Sequence, residues 1–309
     1  MDMSDPLTAD FPTRNADQDE ELAALPDAAL VHQRPAIFWG SAATARMEGG
    51  KLSVQQLVIA SNAAACQLLR HCCMTQQAAG VIMLPEQAQG PGIALPSPAD
   101  KVCFMYLLDN SGAALHSTAG PLKAGSSLAE STDQLNLNAS MPASQQTCSL
   151  LVFCQLPMQP ERATSWMQGL LQVVQAQHVL VVASLPAFSY RGPGDPSQDA
   201  LHYVVHSSAA KQWSQSCGIP SLPSGSLITG LAAAAVQYSE ARRLSATALV
   251  GIEARPVPDM ASLRQLAVYI EKLLKAHGSS FIHADSLMTA AKQAEKALSA
   301  AASNSFMYV

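Results

Sequence analysis

Short runs of consecutive apolar residues, set between stretches with helical periodicity, constrain this chain more than any other feature of its sequence. Strands are expected over 37–40, 56–61, 81–84, 102–108, 150–155, 178–184 and 247–253. Several, such as Val179 through Ala183, are apolar at successive positions, so side chains on both faces need cover. Helices alternate with them. The pattern predicts an α/β fold with a central mixed, mostly parallel sheet covered by helices on both faces.

The helices have legible limits. After Pro160, a helix over 161–177 places Trp166, Leu170, Val173 and Val174 on one stripe. Asn62 precedes an alanine-rich helix over 63–73 and is suited to cap it. Between 225 and 243, Leu227, Ile228, Leu231, Ala234, Ala235 and Tyr238 form an amphipathic run closed by Arg242 and Arg243, cations at the negative end of the dipole. Asp259 opens a helix carrying Leu263, Leu266, Ile270, Leu273 and Leu274. A last helix over 285–300 has mainly Met288, Ala291, Ala294 and Leu298 to bury, so its docking is expected to be weaker.

Charge divides the chain. Of 309 residues 49% are hydrophobic and only 13% charged, enough to build a core, and the formal net charge is -5. Eight acids (Asp2, Asp5, Asp10, Asp17, Asp19, Glu20, Glu21, Asp27) fall in the first thirty residues against Arg14 alone. Residues 1–30 are therefore expected to be a disordered acidic arm, and 31–301 a single α/β domain. The Ser-, Ala-, Gly- and Asn-rich stretch at about 109–147 is expected to be a mobile insertion. No basic cluster suited to phosphates exists, so nucleic acid is not an expected partner. The acidic, polar N-terminus is unlike a secretory or transit signal, and no apolar run approaches the roughly 20 residues of a membrane span. The cytosol or the nucleus is the expected location. Seven cysteines without a CxxC pair are expected to be reduced thiols in or near the core.

The motifs of catalysis are incomplete. Gly192-Pro193-Gly194 lacks the third glycine of a dinucleotide fingerprint, and Gly49-Gly50-Lys51 lacks the rest of a phosphate loop. Ser184, at a strand end, has no nucleophile-elbow glycines around it. His202 and His206 are four apart without the adjacent glutamate of a zinc-protease helix. His71 beside Cys72 and Cys73 fits packing better than thiol activation, and His277 and His283 flank a short connection between helices. No catalytic residue, metal site or cofactor is expected. The turn-rich loop at 190–198 does fall where α/β sheets present ligands. It sustains a rival reading, an α/β enzyme of phosphorylase or hydrolase type using loop 186–198 with Ser184, Tyr190 or His206.

The chain ends Ser303-Asn304-Ser305-Phe306-Met307-Tyr308-Val309. Small polar residues are followed by apolar and aromatic ones at a point where chains normally fray, an order suited to insertion into a receptor. A free α-carboxylate accepts a charge-assisted hydrogen bond from a lysine, the Tyr308 phenol stacks and donates, and Met307 fills an apolar slot of any shape. Residues 302–309 are thus expected to be a docking tail. Met307, Tyr308 and Val309 are its partner-binding residues.

With those residues in view, the chain resembles the family of proteasome assembly chaperone 1. The resemblance runs loosely over most of 50–309. Its best segments are Leu57-Val58-Ile59-Ala60-Ser61-Asn62-Ala63-Ala64, the strand and turn at 180–190, and the helix and strand at 231–253; the family's hydrophobic-Tyr-X ending falls on Met307, Tyr308 and Val309. It implies a non-catalytic chaperone of 20S proteasome assembly that forms a heterodimer with proteasome assembly chaperone 2 and scaffolds the α-ring. The tail would enter a pocket between proteasome α-type subunits, where an activator otherwise binds. The insertion replaces what looks like a tight hairpin turn in relatives, and the acidic arm has no counterpart.

Overall fold

The computed structural model describes residues 35–72, 77–84, 101–109, 148–154, 158, 160–255, 257–278 and 284–305. The acidic arm, most of the 109–147 insertion and residues 306–309 lie outside them. Nine strands form one sheet: β1 (Ala36–Trp39), β2 (Met47–Glu48), β3 (Lys51–Ala60), β4 (Gln77–Leu84), β5 (Lys101–Asp109), β6 (Cys148–Phe153), β7 (Val174–Pro186), β8 (His202–His206) and β9 (Ser245–Glu253). Their order is β1-β4-β5-β6-β3-β7-β9-β8, with β2 folded back on β3. The helices are α1 (Ser41–Thr44), α2 (Ala63–Cys72), α3 (Pro160–Val173), α4 (Lys211–Ser216), α5 (Gly230–Arg242), α6 (Met260–Ala276) and α7 (Ala284–Ser305).

The expected α/β class and two-sided cover are what the structure has, but the balance of strand directions differs from the expectation. Strands β6, β3, β7 and β9 are mutually parallel at the centre, while β1, β4, β5 and β8 pair antiparallel around them, as does β2 on β3. The sheet is therefore mostly antiparallel by pairing. An apolar run shows that a strand is buried on both faces and carries no information about the direction of its neighbour.

Alternate residues of β3 feed two cores. Leu57 and Ile59 pack with Trp166, Met167 and Leu170 of α3 and Leu231 and Ala235 of α5. Val58 and Ala60 pack on the opposite face with Leu68 and Leu69 of α2, Leu266 and Ile270 of α6, and Ala291 and Ala294 of α7. The second face is less covered at the antiparallel end: Phe38, Val81, Phe104 and Phe153 lie in register across β1, β4, β5 and β6, yet Phe38 and Phe104 remain exposed.

Local chemistry explains most boundaries. The Asn62 Oδ1 accepts from the Ala65 amide at 2.7 Å and caps α2, and the Asp259 Oδ1 accepts from the Ser262 amide at 2.7 Å and caps α6. Gly49 and Gly50, with φ of 57° and 76°, make the two-residue turn of the β2–β3 hairpin, a conformation open to few other residues. Helix α3 stops at Val173 instead of 177 because Val174 pairs with Leu52 and begins β7. Helix α5 starts at Gly230, which leaves Leu227 and Ile228 in the preceding loop.

Candidate functional site

The expected site, Met307, Tyr308 and Val309, lies outside the described residues, whereas the helix that precedes it, α7, is described. Helix α6 starts beyond the carboxyl end of β9 and runs back along the sheet. Its C-cap, His277, stacks on His178 near the start of β7, and the His277 carbonyl accepts from Gln55 Nε2 of β3 at 2.8 Å. Helix α7 follows after a short connection and packs on α6 and α2, so it returns toward the carboxyl ends of β3, β7 and β9. It runs to Ser305, where the sequence places a released tail from 302. The four residues beyond it can extend at most about 14 Å.

At that same end of the sheet, residues 187–200 form a braced loop. The Tyr190 hydroxyl donates to the Pro193 carbonyl at 2.6 Å and meets the Tyr203 hydroxyl of β8. Gly192 fits between the Tyr190 phenol and Pro223, where a Cβ would come within 2.2 Å of the phenol oxygen and 2.5 Å of the proline ring. Arg191 donates its amide to Ser226 Oγ at 2.9 Å, tying this loop to the one before α5. Phe188 and Leu227 project from the two loops, 76% and 69% exposed. At the far end of the 187–200 loop a small pocket is lined by Asp199, Glu253, Arg255, Asp259 and Ser262. Burial raises the Glu253 carboxyl above its ordinary range, opposed by a hydrogen bond from Ser184.

The groups of the rival enzyme reading do not converge. Ser184 stands opposite Gly251 of β9, whereas His206 stands opposite Thr247. Four residues along a strand separate those positions by about 13 Å. Tyr190, the third candidate, spends its hydroxyl on bracing the loop. His202 and His206 are on strand β8 rather than a helix, so they share a face but lie about 13 Å apart, too far for one metal ion. Among the described residues no cluster of three histidine, cysteine or acidic side chains is placed to hold a metal. Burial pushes the Cys72 thiol next to His71 up to about 12, away from a reactive thiolate. No helix among the described residues is long and apolar enough to cross a membrane.

Phe188, Arg191 and Leu227 are the exposed features that sequence periodicity misses. Leu227 belongs to an apparent amphipathic run, and only the late start of α5 turns it outward. Phe188 follows a strand in a turn-rich loop, where an aromatic residue carries no directional signal.

No family model matches the chain, and no curated protein matches its sequence significantly. Solved structures are similar to it. PbaA of Pyrococcus furiosus, an archaeal homolog of proteasome-assembly chaperone, is 13% identical over 79% of this chain and 91% of its own, with a TM-score of 0.47. PbaB of the same organism, an archaeal proteasome activator, is 9% identical over 88% and 98%, with a TM-score of 0.49. A proteasome-assembly chaperone homologue of Mycobacterium tuberculosis is 11% identical over 79% and 94%, with a TM-score of 0.45. Each is a likeness of fold and says nothing of what this chain binds.

Proposed function

We propose that this chain is a non-catalytic chaperone of 20S proteasome assembly. It pairs with proteasome assembly chaperone 2 and inserts Met307, Tyr308 and Val309 into a pocket between neighbouring α-type subunits. The observation that carries the reading is the order of the last seven residues, small and polar first, then Phe306-Met307-Tyr308-Val309. The resemblance of 57–64, 180–190 and 231–253 to the chaperone family supports it. So does the separation of Ser184 from His206, which removes the pair a hydrolase would need.

Energetics favour two tails. Ordering the four residues beyond Ser305 costs roughly 1 to 2 kcal/mol of backbone entropy each, so a three-residue anchor alone binds weakly. A partner with its own tail makes the second insertion intramolecular. The test is co-purification through an N-terminal tag, leaving Val309 free, with mass spectrometry of what comes down. A second related chaperone together with α-type subunits, without β-type, is the expected result. A two-residue extension after Val309 is expected to abolish capture of α-type subunits; undiminished capture by the extended protein would overturn the tail assignment.

A further inference from the structure

Among the large hydrophobic side chains of the described residues, Phe188 and Leu227 are the most exposed, and the loops that carry them are hydrogen-bonded to each other. The Leu227 amide donates to the Ser189 carbonyl at 3.4 Å. Gly225, at φ +90°, lies beside the Arg191 stem: a Cβ there would stand 3.6 Å from the Arg191 Cβ, an ordinary contact distance. Arg191 folds its Nη1 onto the carbonyls of Phe188 at 2.9 Å and Tyr190 at 3.2 Å. Among the described residues no carboxylate pairs with this guanidinium.

The mount is rigid. Tyr190 is buried and bonded to Pro193 and Tyr203, and Gly192 is wedged against Pro223. Two tied loops that hold a phenylalanine and a leucine in water, flanked by an arginine with no carboxylate partner among the described residues, have the composition of an interface anchor: aromatic and arginine side chains dominate such sites, with charge at the rim. It stands at the end of the sheet toward which α7 carries the chain terminus.

We propose that Phe188, Leu227 and Arg191 form a second anchor for the partner that receives the tail, seating in an apolar recess bordered by a carboxylate. This rests on the tail reading above and deepens it. Being preorganised, the anchor avoids the ordering cost of the tail, and once it is seated the tail inserts intramolecularly.

The experiment measures binding of the full chain to a purified ring of proteasome α-type subunits, comparing the native protein, a Phe188→Ala/Leu227→Ala double variant, Arg191→Glu and the form extended after Val309. Thermal melts of each variant confirm the fold, and a free peptide of residues 302–309 is titrated separately. The double variant is expected to weaken binding roughly thirtyfold, as loss of an interface hot spot does. Arg191→Glu is expected to weaken it and flatten its dependence on salt. If the double variant binds within about twofold of native while the extended form fails, the second anchor is wrong and the tail stands. If the extended form binds as native and the double variant fails, the tail assignment is wrong and the anchor stands. If the native chain does not bind the ring, both are overturned.

Discussion

Two buried histidines, His178 and His202, and a half-buried one, His277, set the chemistry of the interior at the scale of single residues. His178 and His202 are nearly inaccessible, and His277 stacks on His178 with ring centroids 3.4 Å apart. Burial holds His178 well below its ordinary range, with the neighbouring His277 a second cause, and brings both His202 and His277 down to about 4. The sign follows from proton uptake. The unfolded chain protonates these groups near 6.5 and the folded one resists, so stability is full above that value and lost as pH falls toward 4. Each of the two deeply buried rings contributes a slope of up to about 1.4 kcal/mol per pH unit within the window. Urea denaturation at a series of pH values should show the decline above the range where carboxylates titrate; a flat profile there would contradict it. A second single-residue prediction concerns Gly80, at the irregularity between β4 and β5, where a Cβ would lie 2.1 Å from the Phe38 carbonyl oxygen. Gly80→Ala is expected to lose about 1 to 3 kcal/mol of unfolding free energy, the usual cost of overpacking, because the obstacle is the backbone of β1.

Element boundaries follow caps where caps exist and tertiary pairing where they do not. Helices α2 and α6 begin where Asn62 and Asp259 accept the orphan amides of Ala65 and Ser262. Asn62→Ala is expected to cost about 1 kcal/mol, read as a lower denaturation midpoint with an unchanged m-value. Elsewhere the helical pattern overran. The stripe that includes Val173 and Val174 is cut by β7, because Val174 gains a ladder partner in Leu52. Strand β8 was hidden for a related reason: His202 and His206 flank Tyr203, Val204 and Val205, a spacing equally compatible with helix and strand, and pairing with β9 decides it. That assignment also dissolves His202 and His206 as a candidate pair of metal ligands. Six of the seven cysteines were legible: Cys66, Cys72, Cys103, Cys148 and Cys154 are buried thiols and Cys217 is half-buried, while Cys73 lies outside the described residues.

For the whole molecule, the two cores on either side of the central parallel strands are built, among the described residues, from side chains up to Leu298. Truncation after Ser305 is therefore expected to leave the thermal midpoint of unfolding unchanged while removing capture of α-type subunits; a large drop in the midpoint would mean that the terminus is part of the core. The sequence by itself determined the class of fold, the two-sided burial of its central strands and the positions of two helix caps, since each is written in residues adjacent along the chain. Only the tertiary structure decided which strands run parallel, that Ser184 and His206 stand at different levels of the sheet, and that Phe188, Arg191 and Leu227 meet on one braced end. Those features depend on pairing between segments far apart in sequence, where the free energy of contact outweighs local preference and no local pattern records the result.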